Sequence, residues 1–473
     1  MQYASKIAFH ILFLFCSLAG WAQIAEVRTY GGDDYDEARK TIQTEDGYVL
    51  VGTTSSALNG NSDVLVQFVL NNLDPYFEVV LGGAAAEQGR AIVQNEDGTL
   101  LVLGQTANGP FGSYDAVIYK LTADGNLLWE KYFGTSDWDL PIDLVAGDGK
   151  IYLGMTSYGT GTTTSNQRII VINEDGDLDG IVDFDQAYDG ELSDIDWYNG
   201  SLYTIGTVTL SDGNQFGIGR KLSGSLDVEW SRYEAGLNIF GRTVSGSPYG
   251  ATFGFDYADP TDNNKFDNRL VQYDFEGDLE WRKNFDQPGN QRIRSTAWSG
   301  AVVIYASETD VFGAGGLGAI VVKVYYTGGY LSSAVFGGDI DDSPYHILVD
   351  SDSNYLICGR SNSYSAGDQD FYLVRTFDNT IVSDFELDFV DFASDFYIGI
   401  PEQNPQDILA YPVPANEQLT LTTFCNWELF DLTGRPVLRG QSSYIYVNTL
   451  PAGHYVLKNN DAPSWQQQVI IQH

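Results

Sequence analysis

Positive charge is what this 473-residue chain has least of: 25 Lys and Arg stand against 64 Asp and Glu, a formal net charge of −39 at pH 7. Nucleic-acid partners and anionic leaflets both need clustered cations, so the composition excludes them as default partners. Histidine is nearly as scarce. His10, His454 and His473 lie towards the ends, which leaves His346 alone in the body of the chain. A multi-histidine zinc site is therefore excluded, and a Ser-His-Asp triad would have to use His346 without any Gly-x-Ser-x-Gly elbow. The three cysteines, Cys16, Cys358 and Cys425, are too few and too far apart for a disulfide framework. Stability must come from packing, and no disulfide is expected. Only 2 Met accompany 51 Gly, a balance that favours many tight turns over long helices. Beyond the first segment no apolar run is long enough to cross a bilayer, so no membrane span is expected in the mature chain. Yet 43 % hydrophobic and 14 % aromatic residues are far too many for a disordered acidic tail.

The first segment reads as an address. Lys6 supplies a positive start, Ile7 to Leu18 are apolar apart from His10, and Gly20-Trp21-Ala22 places small residues where a signal peptidase reads them. Residues 1–22 are expected to be a secretory signal cleaved after Ala22. The run is too short for a spanning helix, and Phe15 before Cys16 argues against lipidation.

The body repeats. A polar residue opening an apolar run recurs at Asp63, Asp115, Gln167, Gln215, Asp267, Gly318 and Asp370, at spacings of 52, 52, 48, 52, 51 and 52. A second series, Gly52, Gly104, Gly154, Gly206, Gly254, Ala306 and Gly359, keeps the same phase, and Trp129, Trp230 and Trp281 mark a third. Each unit reads as four short strands. The first follows a Gly-Gly turn, as in Ala38-Arg-Lys-Thr-Ile42 or Gly89-Arg-Ala-Ile-Val93, and Glu-Asp-Gly hairpins predict type I′ turns. Seven such units between residues 23 and 385 predict an all-β fold, a seven-bladed β-propeller of four-stranded repeats. The segment from Ile24 to Thr29 resembles the last strand of a unit and competes with Ile381 to Asp384 for the place that closes the ring.

After Phe385 the repeat stops. Residues 386–409 read as an acidic linker, and 410–473 as a small C-terminal Ig-like β-sandwich with a hairpin turning at Thr433-Gly434. The segment carries Tyr411-Pro412-Val413-Pro414, then Phe430-Asp431, Gly434, Val437, Leu450, Gly453 and Tyr455 in order. In this it resembles the type A C-terminal sorting domain of the Bacteroidota type IX secretion system. Val413, where the family commonly has Asn, and Gln466-Gln467-Gln468, in place of a common Lys, depart from that pattern. The resemblance implies a partner, the type IX secretion machinery, engaged through the C-terminal domain. It also implies a location: secreted or held at the outer-membrane cell surface after inner-membrane export.

Chemistry is harder to place. Asp175, Asp177 and Asp179 alternate like the first half of a calcium loop, but Gln186 stands where a bidentate Glu would close the shell, so a hairpin turn is the plainer expectation and no cofactor is assigned. The Asp series at the repeat position is expected to accept backbone N–H bonds from its own loops. His346 is expected beside the central channel. Aromatics that break the repeat, Trp138, Trp197, Tyr257 and Trp298 with Tyr158, are the candidate ligand contacts. The expected function is a non-catalytic binding or adhesion propeller with a glycan or protein ligand. A polysaccharide hydrolase or lyase using rim carboxylates and a structural surface component are the alternatives.

Overall fold

The computed structural model describes residues 25–376 apart from short segments (57–61, 160–163, 185–188, 211–212, 235–237, 260–261, 287–288, 312–315 and 366). It also describes 388–389, 410–411, 418–431, 435–459 and 466–471. The expected signal and almost all of the expected linker lie outside the described residues. Among those described there is no helix, and none is therefore long and apolar enough to cross a membrane.

Seven antiparallel sheets follow one another along residues 25–376. Their innermost strands are Asp36–Gln43, Glu87–Gln94, Asp139–Gly147, Asp189–Tyr198, Ile239–Ser247, Gln291–Ser299 and Asp342–Val349. Each is followed in order by its second, third and outer strand, as in Gly47–Thr54, Asp63–Leu70 and Pro75–Leu81 of the first sheet. The sixth sheet carries an extra two-residue strand, Asp388–Phe389. Each inner strand contacts the next, and the seventh contacts the first, so the ring is closed. This is a seven-bladed β-propeller.

Burial explains the sequence pattern. Second and third strands pack on a neighbouring blade at both faces, so they read as unbroken apolar runs such as Val64-Leu-Val66 and are buried almost throughout. Outer strands alternate instead, as Pro75–Leu81 does. Between the first two blades, Val49, Val51, Val64 and Val66 interdigitate with Ile92, Val102 and Val117. Trp230 and Trp281 are buried at equivalent places. Their indole Nε1 groups donate to the carbonyls of Phe275 (3.2 Å) and Tyr326 (2.7 Å) on the following blade, which makes them packing residues as their phase predicts.

The second-strand glycine series also has a cause. A Cβ at Gly52, Gly206 or Gly359 would strike the carbonyl oxygen of Glu37, Glu191 or Ser343 on the adjoining inner strand. Those oxygens precede a β-bulge, which brings the two backbones unusually close.

The strand that closes the ring comes from the other end of the chain. Ala25–Tyr30 is the outer strand of the seventh blade, paired antiparallel with Asp370–Thr376 from Ala25↔Thr376 to Tyr30↔Phe371. Ala25 joins the cluster of Ile304, Val321 and Ile357, and Tyr30 is buried with its hydroxyl donating to Leu73 O at 2.8 Å. Of the two segments that compete in sequence, the N-terminal one holds the place; Ile381 to Asp384 lies outside the described residues.

The hairpins differ from the type I′ expectation. In the Asn95-Glu-Asp-Gly98 hairpin only Gly98 has positive φ (81°), with Gly98 N–H donating to Asn95 O at 3.0 Å. One left-handed residue suffices there, and Leu73, Leu226 and Ser353 supply it without glycine. Two-residue turns with positive φ at both positions do occur, at Asp148-Gly149 and Asn199-Gly200.

Contacts divide the chain into two compact units, the second comprising residues 398–473 with Leu331–Ser333 and Ile381–Asp388. In its tail, Gln418–Asp431 is one long strand. It pairs with Pro436–Tyr446 and, through its C-terminal part, with Gly453–Asn459, which pairs in turn with Gln466–Ile471. Leu419, Trp427, Leu429, Ile445, Leu457, Val469 and Ile471 form its core. Asp431 accepts from Arg435 N and Arg435 Nε, both at 3.1 Å, and so braces the hairpin. Tyr455 is buried with its hydroxyl on Pro451 O (2.8 Å), and Gly453 begins the strand that contains it. Tyr411 lies in the short strand Ala410–Tyr411, paired with Thr420; Pro412, Pro414 and Gly434 lie outside the described residues.

Candidate functional site

All seven inner strands slip by one residue against their second strands at the same point. The residues skipped are Arg39, Arg90, Ile142, Ser193, Arg242, Arg294 and Tyr345. A bulge turns its side chain away from the ladder, and on an inner strand that means towards the ring axis. The burial pattern agrees. At every blade the residue before the bulge is buried and the bulge residue itself is half-buried. Four of seven positions carry arginine, in a chain with 25 cationic residues overall.

These side chains meet across blades. The Arg39 guanidinium lies 4.1 Å from the centre of the Tyr345 ring and that of Arg294 lies 5.7 Å from it. Arg39 pairs with Glu37, Arg242 with Asp256 and Arg294 with Glu308. Arg90 differs: its hydrogen bonds go to the neutral oxygens Gln88 Oε1 (2.7 Å) and Gln105 Oε1 (2.6 Å), and its Nε is buried without a partner. Burial, and then the neighbouring Arg39 charge, lower its pKa to about 10, so it remains a cation at neutral pH. Arg292, two residues before a bulge, lies 4.6 Å from the Phe266 ring centre, and Arg360 donates to Gln369 Oε1 at 3.1 Å.

Immediately past the bulges the opening turns acidic. Lys40 reaches from the first blade to the third, where its Nζ meets Asp143 Oδ1 at 2.5 Å. Asp194 accepts from Val244 N (2.9 Å) and Asp196 from Gly246 N (2.7 Å). Burial, then the Asp143 charge, holds the Asp194 carboxyl well above the usual range; burial pushes Asp196 up to about 6. His346 occupies the expected place on this lining. Burial lowers its pKa to about 3, so it is neutral, and its Nδ1 has no partner.

A second set of carboxylates lies at the blade junctions. First-strand Asp36, Glu87, Asp139 and Asp342 each accept an N–H from four residues earlier, at Gly32 (2.7 Å), Gly83 (3.1 Å), Thr135 (2.5 Å) and Gly338 (2.6 Å). That bond closes the Gly-containing turn between blades. Three repeat-position aspartates, Asp63, Asp115 and Asp370, face three of these carboxylates, Glu87, Asp139 and Asp36. A Cβ at Gly82 would stand 2.6 Å from Asp63 Oδ1 and 2.7 Å from Glu87 Oε2. Asp115 accepts from Phe111 N of its own loop as expected (2.9 Å); Asp63 is 1 % exposed, and among the described residues, which leave out 57–61 of its own loop, neither oxygen has a partner. Burial, then the Glu87 charge, raises its pKa. Such a group stabilises the fold fully below its unfolded pKa and loses that contribution as pH rises through the folded value. Asp63→Asn is therefore expected to match the parent near pH 4 and to exceed it by about 1 kcal/mol at pH 8, measured by urea denaturation at both pH values.

The remaining candidates fall apart spatially. Asp175 and Asp177 lie in an exposed hairpin turn in which Asn173 Oδ1 accepts from both backbone N–H groups (3.0 and 2.8 Å). Lys131 Nζ holds the Asp177 carboxylate and Lys150 that of Asp179. The carboxylates point to lysines of the surrounding strands, and no group of three or more potential ligands suited to a metal occurs among the described residues. Of the aromatics, Trp138 is 57 % exposed and edge-on to Tyr114 at 5.2 Å, a usable contact surface. Tyr257 is 7 % exposed and belongs to the core of the fifth blade, which corrects its reading as an exposed contact. Trp197 is stacked on Tyr152 at 4.8 Å, and Trp298 is half-buried beside Tyr249; both fill blade interfaces. Tyr158 is half-buried, its hydroxyl 3.5 Å from Glu191 Oε1.

The arginine set went unread in the sequence because bulges leave no composition signature. One signal was available: Arg39, Arg90, Arg242 and Arg294 each stand three residues after the start of an inner strand.

The class defined by fold and site is thus a seven-bladed β-propeller, closed by its own N-terminal strand, with a charged central opening. Comparison with family models finds no match, nor does sequence comparison with curated proteins. Among solved structures the chain is similar to Drosophila Semaphorin 2a (9 % identity, covering 94 % of this chain and 97 % of that one, TM-score 0.48). It is also similar to a subtype N11 neuraminidase-like protein of A/flat-faced bat/Peru/033/2010 (12 %, 75 % and 94 %, TM-score 0.40). A third is the β-propeller domain of the Trilobed protease from Pyrococcus furiosus, described as having an open velcro topology (9 %, 74 % and 96 %, TM-score 0.43).

Proposed function

We propose that this is an exported, non-catalytic binding propeller that takes its ligand at the mouth of the central opening, on the face bearing the loops between second and third strands. The observation that carries the reading is the set of half-buried bulge side chains, six of the seven polar, of which Arg39 and Arg294 meet across blades at the Tyr345 ring. A ring of inner strands makes the opening concave, and polar groups set in a concave place suit ligand binding. The tail, by its resemblance to type A sorting domains, addresses the chain to the type IX route and the cell surface. Following the chain in a type IX-competent cell tests that part: removal of residues 410–473 is expected to leave it in the periplasm, and unchanged release would sink the route.

One observation favours a second reading. Asp143 and Asp194 are neighbouring carboxylates in the opening, and burial and then the Asp143 charge raise the pKa of Asp194, a pairing of carboxyl groups that a polysaccharide hydrolase or lyase could use. A glycan and polysaccharide array on the full chain, followed by product analysis, separates the two. Retained ligand without product supports the binding protein; released oligosaccharide would transfer the function to Asp143 and Asp194.

A further inference from the structure

Glu234, buried between the fourth and fifth blades, is met by two cations. Arg269 reaches it at 3.3 Å and Arg282 at 2.9 Å, and the Tyr273 hydroxyl donates to it at 3.1 Å. Arg282 follows Trp281 and pairs with Val271, four residues after the repeat-position Asp267. The same place in the second blade follows Trp129 and pairs with Tyr119, four residues after Asp115, but it holds Glu130. A carboxylate stands there where the fifth blade supplies a cation.

Glu130 borders a cavity. Between the first and second blades a half-enclosed space of about 260 Å³ opens beside residues 82–85, lined by Glu87, Thr106, Tyr119, Glu130 and Tyr132 and by no lysine or arginine. Strand alternation sets Glu130 and Tyr132 on one face of the outer strand, with Tyr119 directly across from Glu130. The Tyr132 hydroxyl donates to Glu130 Oε1 at 3.3 Å. Lys131 between them points the other way, with its Nζ 2.8 Å from Asp177 Oδ1. Glu87 is fixed by Thr106 Oγ1 (2.9 Å) on one oxygen and Gly83 N (3.1 Å) on the other. Among the described residues neither glutamate has an ion pair. A third carboxyl group backs them. Asp63, without a partner among the described residues, meets Glu87 at Gly82 on the cavity wall, where a Cβ would stand 2.6 Å from Asp63 Oδ1 and 2.7 Å from Glu87 Oε2.

Carboxylates gathered in a partly desolvated place favour a cation, and the cavity selects which kind. Calcium takes about six to eight oxygens, chiefly carboxylate and carbonyl, whereas no group of three or more potential metal ligands occurs among the described residues. Burial, then the Glu87 charge, raises the pKa of Tyr119; burial, then Glu130, raises that of Tyr132. Both phenols are therefore neutral and can accept an N–H. An ammonium group has three donors to share among such acceptors. The small residues 82–85 leave room for its stem, and a Cβ on Gly83 would meet nothing within 4 Å. The net charge of −39 enriches cations at the surface from which the cavity opens.

We propose that the cavity between the first and second blades binds the ammonium group of a primary amine, seated among Glu87, Glu130 and the two tyrosine hydroxyls. It is a second site, apart from the mouth of the ring, and does not rest on ligand binding there. The amine is either a free alkylamine or the side chain of a lysine, and the same chemistry serves both.

Calorimetric titration of the full chain in dilute buffer at pH 7.5 tests it with four probes: pentane-1,5-diamine, N-acetyl-lysine N-methylamide, the uncharged N-acetylnorleucine N-methylamide, and calcium chloride. One or both amines should bind and the norleucine compound should not; the tighter amine identifies the source as a free amine or a lysine. Glu130→Gln, an exposed change that leaves the packing intact, should weaken amine binding about 10-fold. Tyr132→Phe, which removes one acceptor and keeps the ring, should weaken it by a smaller factor. Glu280→Gln, an exposed change on the outer strand of the fifth blade, is the control and should alter nothing. Amine affinity that falls equally in Glu130→Gln and Glu280→Gln would mean attraction to the acidic surface alone and overturns the site. Calcium that displaces the amine and is itself lost in Glu130→Gln would make this a metal site and overturns the amine assignment. Failure of both amines to bind overturns the proposal outright while leaving the reading of the mouth untouched.

Discussion

Deleting residues 25–30 is expected to unfold the seventh blade and open the ring, lowering the melting temperature by well over 10 °C and splitting a single transition into two. The strand is short, but three dependencies converge on it. It supplies every ladder bond on the outer side of Asp370–Thr376. Its Ala25 completes the core shared by the sixth and seventh blades, while Tyr30 completes the core shared by the seventh and first. The carboxylate of Glu26 pairs with Arg375, which also donates to the carbonyl of Asn71 on the first blade. Tyr30→Ala alone is expected to cost about 3–5 kcal/mol, because a buried aromatic is lost and Leu73 O loses its donor. A ring held at one seam fails there first, since each blade depends on its neighbours for burial. Differential scanning calorimetry of the deletion and of Tyr30→Ala gives both numbers; a deletion that melts like the parent would mean that another segment closes the seventh blade.

Lys40→Met is the second large effect. In the folded chain Lys40 contacts Asp143 and lowers the pKa values of Asp194 and Asp196. Without it, buried carboxylates face one another with backbone N–H groups and the Thr243 hydroxyl to compensate. Breaking a buried ion pair from one side costs about 3–5 kcal/mol, and that loss is expected at pH 7.5. The sign of its pH dependence follows from the raised carboxyl pKa values. As pH falls towards 5 Asp194 and Asp196, whose pKa values burial raises, take up protons, repulsion weakens and the variant approaches the parent. Lys40→Met combined with Asp143→Asn should recover most of the loss at pH 7.5. Urea midpoints at pH 5 and 7.5 for the parent, the single and the double variant complete the cycle. An equal loss at both pH values would assign the effect to packing of the lysine stem instead.

How much of this could be read from sequence depends on which feature repeats. Phase agreement among Asp63, Gly52 and their equivalents placed the strands, because each marks a backbone event that recurs in every blade: a third strand starting beneath a junction carboxylate, or a second strand passing close to a bulge. Trp230 and Trp281 were legible as packing for the same reason. Tyr257 and Trp197 were misplaced because departure from a repeat was taken to mean exposure, whereas Tyr257 packs in a core that already holds Phe253, Phe255 and Trp230. The hairpin class was misread because Asp-Gly suits two different turns, and only the backbone shows whether Asp also has positive φ. The arginine set left only its recurring place three residues into an inner strand, for a further reason. Its members belong together through a register slip, which is a property of paired strands rather than of any one strand.

The most direct test of the account is the structure of the full chain with a ligand that the glycan and polysaccharide array retains. The account predicts that ligand at the mouth of the central opening, against the bulge residues of the inner strands where Arg39 and Arg294 meet Tyr345. A ligand bound instead around Trp138 and Tyr114, with the mouth empty, would contradict it.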